Sequence, residues 1–160
     1  MLNLIAAFSM SFYNNNKHFL HQHLTFLESI DYDKGFENFL LGLGIPATSA
    51  NYMQNKTVID WTKVADQHKF YYDYEGCEEE VKNWLKRSIL SSYEFLYTHL
   101  SFADPIIKIK TSDFIDKWEE FNLATGWDGL ILTTAKGELF LEFAESPRDL
   151  YSNFIINPAK

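Results

Sequence analysis

Residues 129–143, Gly129-Leu130-Ile131-Leu132-Thr133-Thr134-Ala135-Lys136-Gly137-Glu138-Leu139-Phe140-Leu141-Glu142-Phe143, read as two β-strands joined by a tight loop. Leu, Ile, Thr and Phe crowd both runs, and Ala135-Lys136-Gly137 suits a short hairpin connection with glycine at positive φ. In the second run Glu138, Phe140 and Glu142 point one way, and Leu139, Leu141 and Phe143 point the other.

Upstream, Pro105-Ile106-Ile107-Lys108-Ile109-Lys110 reads as a further strand with its lysines on the wet face, after which Ser112-Asp113 starts a helix. Phe114, Trp118 and Phe121 give that helix an apolar face at i, i+4, i+7, with Asp113, Asp116, Glu119 and Glu120 around the rest. Downstream, Ser146-Pro147 looks like a cap with proline at the first helical position, followed by a helical turn over Asp149-Leu150-Tyr151. Ile155-Ile156 reads as an edge strand. Ahead of all these, the spacing predicts a long helix from about Glu78 to Leu100. Val81, Trp84, Leu85, Ile89, Tyr93 and Leu96 line one of its faces, and Glu78, Glu79 and Glu80 occupy the first turn, where the helix dipole favours negative charge.

The first half of the chain reads as helical. Phe19, Leu20, Leu24, Leu27 and Ile30 recur at helical spacing over residues 16–30, and Phe36, Phe39, Leu40 and Leu43 form a second, shorter stripe closed by Gly42, Gly44 and Pro46. Val58, Trp61, Val64, Ala65 and His68 fit a helix, whereas residues 70–74 fit helix and strand equally well. The expected fold is therefore α+β: a helical N-terminal half packed on a small antiparallel sheet formed mainly by the C-terminal half, in one domain over 1–160. Residues 1–15 read as a frayed or optional extension, with Met10 as an alternative start.

The chain has 160 residues, 14 Lys+Arg against 22 Asp+Glu, and a formal charge of −8. That balance argues against nucleic acid as a partner, because phosphate recognition needs clustered Lys and Arg. A lone cysteine, Cys77, excludes an internal disulfide. Met1–Phe8 is apolar but lacks the preceding base and the small-residue cleavage site of a signal peptide, and no window is long enough to span a bilayer, so a cytoplasmic location is expected.

His18-x-x-His21-x-His23 superficially suggests a metal site, yet His23 is rotated about 200° from His21 on a helix, so the three do not converge. Cys77 lies at a helix start, which lowers a thiol pKa, but Glu75, Glu78, Glu79 and Glu80 oppose the thiolate and no base is paired with it. No nucleophile elbow, phosphate-binding glycine loop, dinucleotide fingerprint or zinc spacing is present, so no catalytic residue, metal or cofactor is expected. Two acidic, aromatic-flanked clusters remain: Tyr72, Asp73, Tyr74, Glu75, Glu78, Glu79 and Glu80, and then Asp113, Asp116, Glu119 and Glu120 with Trp127 and Asp128. Part of this charge belongs to helix N-termini and wet faces. Carboxylates interleaved with Tyr and Trp also suit a basic protein partner, steering its approach and anchoring it.

Small size, acidity, a helical N-terminal half and the run Trp118-Glu119-Glu120-Phe121 … Gly126-Trp127-Asp128-Gly129-Leu130 … Gly137–Phe143 together resemble the immunity proteins of bacterial polymorphic toxin systems, including contact-dependent growth inhibition. The resemblance implies a toxin inhibitor without catalytic activity, monomeric or weakly dimeric, that binds one cognate toxin domain, often a nuclease, as in a toxin-antitoxin pair. It supplies no residue-by-residue correspondence. The alternatives from other classes are a small hydrolase whose carboxylates or histidines meet only in the fold, and an accessory subunit of a larger complex.

Overall fold

The computed structural model describes residues 19–48, 56–72, 76–101, 104–125, 129–144 and 148–156. Seven strands, β1 (Leu27–Ser29), β2 (His68–Tyr71), β3 (Phe95–Thr98), β4 (Ile107–Lys110), β5 (Leu130–Thr133), β6 (Phe140–Phe143) and β7 (Asp149–Ser152), make one sheet in the order β1-β4-β3-β5-β6-β7-β2. Every pairing is antiparallel. Among the described residues there are four α-helices, α1 (Phe36–Gly42), α2 (Glu78–Arg87), α3 (Thr111–Asp116) and α4 (Trp118–Ala124), and 3-10 turns at Phe19–His23, Trp61–Lys63 and Ile89–Ser92. The class is α+β.

The hairpin forms as its sequence suggests, with Leu130 opposite Phe143 and Thr133 opposite Phe140. Gly129 adopts φ +73°, and a Cβ there would collide with the carbonyl oxygen of Phe143, so only glycine lets β5 begin beside the end of β6. All eight residues of these two strands are buried, including Glu142. Burial on both faces means that the sheet is a middle layer. On one side Leu96, Ile107, Ile109, Leu130, Leu132, Leu141, Phe143 and Leu150 pack with Val81 and Leu85 of α2, Phe114 and Ile115 of α3, and Trp118 and Phe121 of α4. On the other, Ile131 and Phe140 meet Phe36 and Leu40 of α1, Ile45, Ala47, Ile59 and Trp61.

The N-terminal half is less helical than its periodicity predicts. Within the described part of residues 16–30 there is only the turn Phe19–His23, followed by the edge strand β1 on β4. At the bend between them, the Thr25 amide and hydroxyl both donate to the buried Asp113 carboxylate, at 2.7 Å for the amide. Asp113 thus binds a distant segment instead of capping its own helix. The second stripe forms α1 as expected. The helix expected around Val58–His68 is reduced to Trp61–Lys63, and residues 68–71 are the other edge strand, paired with β7. The helical turn expected at Asp149–Tyr151 is strand β7, because Leu150 and Tyr151 serve opposite cores. Ile155-Ile156 lies beyond that strand.

The long helix expected from Glu78 to Leu100 stops at Arg87. Ser88 turns extended, its hydroxyl donating to Leu85 O (2.7 Å) and accepting from the Leu90 amide (3.2 Å). Ser91 and Ser92 hydroxyls donate to Ser88 O and Ile89 O. Serines that bond neighbouring backbone compete with helix, and Phe95-Leu96-Tyr97-Thr98 then alternates half-buried and buried as strand β3. The proposed extension over residues 1–15, and the cap at Ser146-Pro147, lie outside the described residues.

Candidate functional site

The acidic segments around Glu78 and Glu119, some 40 positions apart in the chain, are brought to one surface. Val81 and Leu85 drive the apolar face of α2 onto the core, which leaves the Glu78–Glu80 turn at the helix start facing outward. Trp118, at the start of α4, is buried against Phe143 in a stacked contact, and its indole N–H donates to the Glu78 carbonyl at 3.0 Å. This bond joins the first turns of α2 and α4. Lys82, one turn into α2, binds Asp116 at the end of α3 at 2.8 Å.

The electrostatics of the surface follow from that closure. Hydrogen bonding to Asp116 holds the Lys82 ammonium above the usual lysine range, with Glu79 and Glu120 adding to the effect. The same bond to Lys82 holds Asp116 below the ordinary carboxylate range. Glu119 is shifted upward, first by burial and then by the neighbouring charges of Glu120 and Glu78. One oxygen of Glu120, Oε2, is shielded from solvent and accepts no hydrogen bond among the described residues. Glu119 and Glu120 are half-buried; Glu79 and Glu80 are exposed. Leu123 stands four residues after Glu119 on the same helix face and is 61% exposed, an apolar side chain beside the carboxylates.

Tyr72 does not belong to this surface. It is fully buried, edge-on to Trp118 and Phe143, and its hydroxyl donates to Ala144 O (2.8 Å) and accepts from Asn122 Nδ2 (3.1 Å). A role for Tyr72 as an exposed anchor is therefore overturned: alternation along β2 turns Tyr71 outward and the next residue inward. Asp73, Tyr74, Glu75, Trp127 and Asp128 lie outside the described residues. Leu123 was missed because an apolar residue late in a short amphipathic helix is ordinarily assigned to the core.

His21 and His23 sit on the Phe19–His23 turn, and His18 lies outside the described residues. Among the described residues no three His, Cys, Asp or Glu side chains are placed to hold a metal ion. Cys77 is half-buried against the main core at the start of α2. No described helix is long and apolar enough to cross a membrane. Asp113, expected in the second acidic cluster, is instead buried and bound to the Thr25 amide and hydroxyl, and the buried Glu142 binds main-chain and indole donors. Glu142 accepts from the amides of Val58 (2.7 Å) and Ile59 (3.2 Å) and from Trp61 Nε1 (2.9 Å).

No family model, curated protein or solved structure matches the chain.

Proposed function

We propose that this protein is a cytoplasmic immunity protein that neutralises a cognate bacterial toxin domain, a nuclease, by covering its basic surface. The observation that carries the reading is the joining of two acidic segments into one ridge, Glu78, Glu79, Glu119 and Glu120, beside the ion pair Lys82–Asp116. An isolated helix start explains the charge of one segment; it does not explain carboxylates from two helices crowding until burial and mutual repulsion raise Glu119. Lys or Arg from a partner relieves that crowding, while Leu123 offers an apolar anchor among the charges. The hydrolase alternative draws no support from Asp113 and Glu142, whose carboxylates are bound to amide, hydroxyl and indole donors.

The test is co-expression with the C-terminal domain encoded by the open reading frame immediately upstream. A stable complex and rescue of growth support the reading. A soluble upstream domain that neither binds nor is toxic contradicts it.

A further inference from the structure

At the far end of α2 from the acidic ridge, a cavity of about 330 Å³ opens between the end of α2, the Ile89–Ser92 turn, the start of β3 and the β4–α3 junction. Lys86 of α2 and Lys110 at the end of β4 line it together with Ser91, whose hydroxyl donates to Ser88 O, and with Ser112, Tyr93 and Ile115. Glu94 is its one acidic lining residue. Lys86 and Lys110 form no ion pair among the described residues, and Asp116, which feels the charge of Lys86, is bound to Lys82 instead. Thr111 lines the same cavity at 2% exposure, and its Oγ1 has no hydrogen-bond partner among the described residues, although its amide donates to Glu94 O at 2.9 Å.

A buried hydroxyl without a partner is costly, and native chains rarely keep one without a use. Here it belongs to a residue lining a cavity the size of a small-molecule site, alongside Ser112 and two lysines that form no ion pair among the described residues. We propose that this cavity binds a small organic anion, a carboxylate or phosphate headgroup held by Lys86 and Lys110 with Ser112 and Thr111 as hydroxyl donors. The apolar part of the ligand rests on Tyr93 and Ile115. Glu94 opposes the anion and sets the affinity modest. The site is separate from the acidic ridge and does not depend on the toxin-binding reading.

The probes are phenyl phosphate, benzoate and inorganic phosphate, titrated into the full chain and followed by amide and methyl NMR shifts. Phenyl phosphate or benzoate is expected to saturate shifts at residues 91–94 and 110–115 and to bind about tenfold more tightly than inorganic phosphate, as burial of an aromatic ring requires; whichever of the two binds tighter names the headgroup. Thr111→Val, which keeps the shape, and Lys110→Gln are each expected to weaken binding about tenfold, and Glu94→Gln to strengthen it severalfold. Non-saturating shifts with both aromatic anions overturn the site. So does unchanged affinity in Lys110→Gln and Thr111→Val proteins of native fold; should Thr111→Val fail to fold, Lys110→Gln and Glu94→Gln decide with opposite expected signs.

Discussion

Glu142 ties the segment at Val58–Trp61 to the central strand β6, bridging 81 to 84 positions of chain, and Asp113 does the same for Thr25 across 88. In Glu142→Gln one amide N–H₂ must face an N–H donor in place of an acceptor, so the loss is that of a broken buried network. We expect about 2–4 kcal/mol of destabilisation in urea unfolding, with the second core around Trp61 and Phe140 loosening first. Tyr72→Phe removes a hydroxyl that satisfies both Ala144 O and Asn122 Nδ2. It is expected to cost about 1–2 kcal/mol while leaving partner affinity unchanged, whereas a loss of affinity at unchanged stability would return Tyr72 to the interface. The alternation that places Phe140 and Glu142 on one face was legible in the sequence. That this face is covered was not, because the cover comes from residues 36–64, far away in the chain.

At the level of elements, the hairpin, α1, β4 and the helical region after it were legible because each combines a clear period with a local stop signal. The failures share one cause. In residues 19–30 and 88–100 the apolar spacing suits a helix, and at 149–151 the preceding Ser-Pro suggests one, but pairing of β1 with β4, of β3 with β4 and β5, and of β7 with β6 and β2 decides the outcome. The serine triplet Ser88, Ser91, Ser92 was the overlooked local signal. The acidic ridge makes its own element-level prediction. Glu119 has a raised folded-state pKa, so the native state favours its protonated form; its stabilising contribution is complete below the ordinary glutamate value and is lost as pH rises through the raised one. Glu119→Gln is therefore expected to stabilise the protein by about 0.3–0.5 kcal/mol at pH 7 and by nothing near pH 3, in paired urea titrations. Asp116 has the opposite sign. Its pairing with Lys82 stabilises above the ordinary aspartate value and is lost as pH falls through the depressed one, so Asp116→Asn is expected to cost about 0.2–1 kcal/mol at pH 7 and nothing in strong acid.

On the scale of the whole molecule, the sheet with its two covering layers is a scaffold that fixes where charge can gather. Of the net −8, residues 111–160 carry four bases and nine acids, and part of that excess meets the Glu78 turn only because Trp118 is drawn into the core beside Phe143. The sequence presents the two acidic clusters as separate; their union depends on a tertiary contact that no local pattern announces. The binding reading predicts that complex formation releases protons from Glu119, so affinity for a basic partner rises with pH through that group's raised titration range, and isothermal calorimetry in buffers of different ionisation heat reads this directly.

The most direct measurement is the association rate with the upstream-encoded toxin domain, across salt concentration, for the native chain and for Glu78→Gln, Glu79→Gln, Glu119→Gln and Glu120→Gln combined. The account predicts that the combined variant associates at least about tenfold more slowly at low salt and loses most of the salt dependence, with its fold intact. An association rate and salt dependence equal to those of the native chain would contradict the claim that this ridge meets the partner.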